Sequence, residues 1–266
     1  MNEKKVKPVI ALVTIGTVHP DGLGTLETID SLICDHFPGY DIRWGFQSKF
    51  TIDTFYERGV TTVFDRKVPL ISAAGLLAEL AKEGVTKVVM QMVMVTEGSL
   101  FCSATEADTH GINVKYGLPF LSHRENIALV VKRLSSNFGD GVETATVLTA
   151  HNVKEDFRYN DCFIEIDNIV RKNYRNVFVA TLNGPPGIEG VIADVKRSCC
   201  KKMRFISLML IAKAHYKDIM GDGPKSWKSR IGLPVEVIDS FYENSGIKDY
   251  FVNNIRALME QFEQSS

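Results

Sequence analysis

Two histidines, His151 and His215, are the residues of this chain best suited to chemistry. Each lies just beyond a strand-like stretch in the same half of the sequence, and the carboxyl ends of strands are where open α/β sheets present their binding groups. A neutral imidazole takes up a proton near neutral pH and coordinates Co, Ni, Fe or Zn. Two imidazoles at one sheet edge would therefore suit proton transfer coupled to the handling of a divalent metal. Taken singly, each also reads as an ordinary loop histidine, and His19, His36, His110 and His123 have no comparable company. Around the pair lie Lys154, Arg158, Lys213, Lys217, Lys225, Lys228 and Arg230. Rimming a cleft, they would suit a polycarboxylate ligand whose affinity falls with added salt; otherwise they form a solvated face.

The overall charge narrows the partners. Lys and Arg number 31 against 32 Asp and Glu, a formal net charge of -1, so no global field draws in nucleic acid or an anionic membrane. With 45% hydrophobic and 24% charged residues the chain folds rather than staying disordered. The five cysteines are scattered without a C-x-x-C pair, which favours a reducing compartment. The apolar stretch at residues 9–13 is too short for a signal sequence, and no run approaches the ~20 apolar residues of a membrane span. A cytoplasmic protein with no nucleic-acid or membrane partner is expected.

Other chemical motifs fail on spacing. Gly16, Gly22 and Gly24 do not form G-x-G-x-x-G, and Gly221-Asp-Gly-Pro-Lys-Ser226 lacks the P-loop interval and a strand in front of it, so it reads as a turn. Neither H-E-x-x-H nor G-x-S-x-G occurs.

The elements that must position the histidines alternate in type. Strand-like runs at 9–13, 41–46, 87–95 and 114–118 are separated by helical periodicity such as that at 23–37, 71–82 and 124–134. After the Gly-rich joint at 137–142 the rhythm restarts, with strands at 144–149, 176–182, 204–211 and 235–238 and helices at 155–170 and 188–197. This predicts an α/β protein of two similar halves, 1–138 and 139–266, each built on a parallel sheet. The tail 239–264 reads as a terminal helix broken near Gly246 that packs on either half. Residues following strands are then Thr14, Gly16 and Thr17, Met94 and Glu97, His151, Asn183, and His215.

The stretches Ile10-Ala-Leu-Val-Thr-Ile-Gly-Thr17, Val88-Val-Met-Gln91, Leu118-Pro-Phe-Leu-Ser122, Val147-Leu-Thr-Ala-His151, Leu208-Met-Leu-Ile-Ala-Lys-Ala-His215 and Lys225-Ser-Trp-Lys228 resemble the anaerobic cobalt chelatases, the sirohydrochlorin cobaltochelatase family, relatives of the class II ferrochelatase-like chelatases. The resemblance spans nearly the whole chain. It implies two lobes, each a four-stranded parallel sheet flanked by helices, with a cleft between them that takes sirohydrochlorin. The implied reaction is a lyase's insertion of a divalent metal, Co2+ ahead of Fe2+ or Ni2+, in anaerobic cobalamin biosynthesis, with the metal as substrate and no organic cofactor. It makes His151 the base and a metal ligand, His215 a second ligand, and Asn183 the occupant of the third ligand position, where the family carries a glutamate. Met94 stands where the family often has a histidine. Thr14, Gly16, Thr17, Met94, Glu97, Lys154 and Lys213 are the expected tetrapyrrole contacts, and a homo-oligomer is compatible with the resemblance.

An amide cannot offset a cation's charge or take a proton at neutral pH, so Asn183 opens a second expectation. Either Glu189 or Glu97 supplies the acid, or the protein binds or demetallates a finished metallo-tetrapyrrole such as haem. A two-lobed binding module for a sugar, amino acid or ion uses the same architecture and predicts no coloured ligand.

Overall fold

The computed structural model describes residues 7–151, 157–211, 216–239 and 241–264, with only the backbone of Phe157 and Arg158. Strand β1 (Val9–Thr14) is buried at every position, as a parallel strand covered on both faces must be. It pairs on one side with β2 (Ile42–Phe46) and on the other with a later strand, β5 (Lys87–Met92). Between β2 and β5 run helix α2 (Lys49–Glu57), a short antiparallel hairpin of β3 (Thr62–Val63) and β4 (Val68–Pro69), and α3 (Ala73–Lys82). Helix α1 (Pro20–His36) links β1 to β2, and α4 (Ser99–Thr105) precedes β6 (Asn113–Gly117), giving a four-stranded parallel sheet of order β2-β1-β5-β6.

The second sheet repeats this plan. Helix α5 (Arg124–Leu134) leads into β7 (Thr144–Ala150), then α6 (Asp161–Asn173), β8 (Val177–Thr181), α7 (Ile188–Arg197) and β9 (Lys202–Ser207). Two short helices, α8 (Tyr216–Met220) and α9 (Trp227–Ile231), precede β10 (Val235–Ile238), and the order is β10-β9-β7-β8. On one face Ala145, Val147, Phe178, Ala180 and Phe205 pack with Ile188, Val191, Ile192 and Val195 of α7. The alternation along β1 does the same in the first sheet, where Val9, Ala11 and Val13 meet Leu76, Leu77 and Leu80 of α3.

The α/β class and the two four-stranded parallel sheets expected from the sequence are present. The chain divides into two compact units, Met1–Phe120 with Lys248–Ser266, and Leu121–Ile247. The division thus falls ahead of α5 rather than at residue 138, and the Gly-rich joint lies inside the second unit, where Asp140 Oδ1 accepts from the N–H groups of Val142, Glu143 and Thr144. Those donors hold the exposed Asp140 carboxyl below its usual range.

The tail forms α10 (Phe241–Asn244) and α11 (Ile247–Gln264), with Gly246 at φ +90° in the break. Helix α11 belongs to the first unit. It buries Phe251, Val252, Ile255, Leu258 and Phe262, spaced as one helical face. Its polar attachment is specific: Asn254 Nδ2 donates to Oε1 of the fully buried Gln91 at 2.8 Å, and Tyr250 Oη donates to Leu118 O at 2.8 Å.

Two sequence expectations overran. The run at 204–211 leaves the sheet after Ser207, whose Oγ accepts from Met209 N at 3.0 Å and turns the chain away. The helix expected from 155 is an α-helix only from Asp161, preceded by a 3-10 turn at Phe157–Asn160. In the strand an apolar run continues past the point where its pairing partners end.

Candidate active site

In the second sheet β7 has a neighbour on each side, and the loops after the three strands start at one level. Ala150 is in register with Thr181, and Thr149 with Ser207. Backbone bonds extend the match, Leu182 N donating to Ala150 O at 3.0 Å and Leu208 N to Thr149 O at 2.8 Å. The chain connects β7 to β8 on one side and runs on through β9 to β10 on the other, so the tip of β7 is the reversal point at which open α/β sheets hold ligands. His151 is the first residue after β7 and is exposed there.

The loop after β8 is tied back onto its own strand. Thr181 Oγ1 lies 2.9 Å from Asn183 O and 2.8 Å from Gly184 O, while Thr181 N donates to Pro186 O at 2.8 Å. Asn183 is thereby held two residues beyond the strand end, half-buried.

Helix α8 presents its residues by helical spacing. Tyr216, Ile219 and Met220 face the core cluster, which turns Lys217 and Asp218 the other way. Burial, with the neighbouring Asp239 carboxylate, pushes the Tyr216 phenol pKa up, so it stays neutral and hydrogen-bonded to Asp239. Gly221 closes the helix with its N–H on Lys217 O at 3.1 Å; a Cβ there would sit 2.3 Å from that carbonyl, so no other residue fits. The following turn has Ser226 N donating to Gly223 O at 3.0 Å, and Ser226 Oγ then accepts from Ser229 N to start α9. Trp227 packs edge-on to Phe205, ring centroids 6.3 Å apart.

Together these segments enclose a cavity of about 810 Å³ lined by His151, Leu182, Asn183, Lys217, Asp218, Gly221, Gly223, Pro224, Lys225, Ser226 and Trp227. Among the described residues its charges are Lys217, Lys225 and Asp218. Lys228 and Arg230, grouped with the cavity's cations on sequence grounds, are paired elsewhere, Lys228 with Asp222 at 3.0 Å and Arg230 with Glu189. Glu189, an expected replacement acid, is therefore engaged on α7 and absent from the lining.

The other expected site residues fare differently. His215, Lys154 and Lys213, like the Arg158 side chain, lie outside the described residues. In the first unit the Thr14 and Thr17 hydroxyls are buried and accept from Gly16 N and His19 N within their own turn. Gly16 supplies the φ of +89° that this turn requires. Met94 is 5% exposed and packs in the core with Met92, Ala104 and Ile112. What the β1 tip does expose is Ile15, and Glu97 is half-buried after β5. Among the described residues no three His, Cys, Asp or Glu side chains cluster as a metal site.

The turn reading of residues 221–226 holds, but that turn is also a cavity wall, as is α8. The signal for it was the Lys225-Ser-Trp-Lys228 match; the five-residue helices on either side are too short to show periodicity.

The cobalt chelatase (CbiK) family model matches residues 8–260. The chain belongs to that family. A cobalt chelatase is a metal-inserting enzyme acting on a tetrapyrrole, with the divalent metal as its substrate. Among relatives, the sirohydrochlorin cobaltochelatase CbiKC of Nitratidesulfovibrio vulgaris (strain Hildenborough) is 21% identical over 261 residues, covering 93% of this chain and 89% of that protein. Two solved structures share the fold. SirB from Bacillus subtilis with Fe3+ superposes with a TM-score of 0.58 at 14% identity, covering 97% of this chain and 98% of its own. CbiX, the terminal enzyme for siroheme biosynthesis in denitrifying bacteria, gives 0.57 at 12%, covering 94% and 99%. No helix of the described residues is long and apolar enough to cross a membrane.

Proposed function

We propose that this chelatase inserts Co2+ into sirohydrochlorin at the β7 tip, with His151 as the base. The observation that carries this reading is the placement of His151 on a cavity that also holds Asn183, two lysines and one carboxylate. Insertion removes two pyrrole N–H protons while the ion sheds water, so one imidazole that accepts a proton and also coordinates the ion serves both steps. Asn183 contributes a neutral amide oxygen, and His215, by family resemblance, the second imidazole. The assay is anaerobic absorbance of sirohydrochlorin with Co2+, Fe2+ and Ni2+ in turn. Formation of cobalt product fastest of the three supports the proposal; no metallated product with any of them overturns it.

Asn183 favours one alternative, a protein that holds a finished metallo-tetrapyrrole. Asn183→Glu separates the two. In an inserting enzyme the new carboxylate beside an imidazole strengthens metal capture, and cobalt insertion is expected to rise several-fold at limiting Co2+. In a haem binder the same change sets a desolvated negative charge against the ligand, so haem affinity holds or falls and no insertion is gained.

Lys217 and Lys225 have no ion pair among the described residues and suit the substrate's carboxylates. Sirohydrochlorin affinity is expected to weaken as ionic strength rises through ~0.1 M, where screening acts over ~10 Å. The double variant Lys217→Ala/Lys225→Ala should bind more weakly and with a flatter salt response. An unchanged salt slope in that variant would remove both residues from substrate recognition.

A further inference from the structure

We propose that Asp218 is the carboxylate that receives the metal ion in this cavity and neutralises part of its charge until the tetrapyrrole takes it. The inference rests on the insertion reading above and adds a metal contact that neither strand-tip placement nor the family resemblance supplied. Three observations carry it. Asp218 is the sole carboxylate among the described residues lining the cavity. The core-facing set Tyr216, Ile219 and Met220 fixes the rotation of α8 and turns Asp218 away from the core, so its orientation follows from packing rather than chance. It makes no hydrogen bond or ion pair among the described residues, whereas the neighbouring acids Asp222 and Glu189 are held by Lys228 and Arg230.

The charge balance explains why such a group is needed. A divalent ion entering a cavity that carries Lys217 and Lys225 meets two like charges, and Asn183 can offer it only a dipole. A hard or borderline divalent ion takes a carboxylate oxygen beside an imidazole readily. During transfer the metal–carboxylate bond breaks as bonds to the ring nitrogens form, and both ring protons leave to water through His151, so Asp218 begins and ends ionised.

The test uses Asp218→Asn, with Asp218→Glu as rescue and Asp222→Asn as a control outside the lining. Because Asp218 is exposed on a short helix, the variants should fold as the parent does. The Co2+ concentration for half-maximal insertion is expected to rise about tenfold or more in Asp218→Asn, with the KM for sirohydrochlorin unchanged, to recover in Asp218→Glu and to stay put in Asp222→Asn. Superimposable metal curves for parent and Asp218→Asn, or a change confined to the sirohydrochlorin KM, overturn the assignment. Failure of the parent to insert any metal would instead sink the insertion reading. Titration with Co2+ alone, followed by its visible d–d absorption, then still decides Asp218: weaker binding in Asp218→Asn upholds it and equal binding refutes it.

Discussion

Replacing His151 by alanine is expected to lower cobalt insertion by about a hundredfold or more while tetrapyrrole binding persists, because a positioned general base is typically worth ~10²-fold or more. The side chain is exposed and lies one residue past β7, whose hydrogen bonds to β8 and β9 do not involve it. The loss therefore reports on chemistry rather than on folding. Free imidazole added to the variant should restore part of the rate, which a merely structural histidine would not allow. Binding is read by the absorbance shift of metal-free sirohydrochlorin and insertion by the product spectrum under anaerobic conditions. A variant rate within about fivefold of the parent would dismiss His151 as the base.

The second large effect lies far from the site. Asp30, on α1, is 2% exposed and accepts from Trp44 Nε1 at 2.7 Å and from Arg66 Nε and Nη2 at 2.7 and 2.6 Å. It thereby fastens the β3–β4 hairpin to β2, where Phe64 at the hairpin tip meets Trp44 edge-on at 5.4 Å between ring centroids. The same hydrogen bonds hold the Arg66 guanidinium pKa above its usual value. Asp30→Ala leaves the indole N–H buried without an acceptor and Arg66 without its counter-ion, at a cost of about 3 kcal/mol. The two tryptophans, Trp44 and Trp227, fall in different units, so a Trp227→Phe background isolates the unfolding of the first. Urea titration of Trp44 fluorescence in that background should show the midpoint drop; a loss under about 1 kcal/mol would mean that water or rearrangement replaces the network.

Legibility in the sequence tracked length and periodicity. Helices α5 and α7 and strand β10 fall where the spacing put them, because each is long enough, or flanked closely enough by turn residues, for one repeat to dominate. The hairpin was invisible: two-residue strands carry no period, and its stability comes from Asp30 and Trp44, distant in sequence. The places of His151 and Asn183 on the cavity wall were readable because each follows an evident strand. Asp218 was not, since α8 spans five residues and its orientation is set by tertiary contacts of Tyr216 and Met220. The burial of Met94 was not legible either, because its place just after a strand does not show that the chain there still packs in the core with Met92 and Ala104.

The return of α11 to the first unit sets an order of events on the ribosome. The second unit, Leu121–Ile247, is continuous and can close on itself as it emerges. The first unit cannot, although it is made earlier: until Asn254 and Tyr250 appear, Gln91 Oε1 and the Leu118 carbonyl wait without those donors and the apolar surface that Phe251 and Ile255 cover stays open. At ~5–20 residues per second the wait lasts on the order of ten seconds. The portion synthesised first is the portion finished last, and during that interval it is the nascent chain's natural client surface for a chaperone.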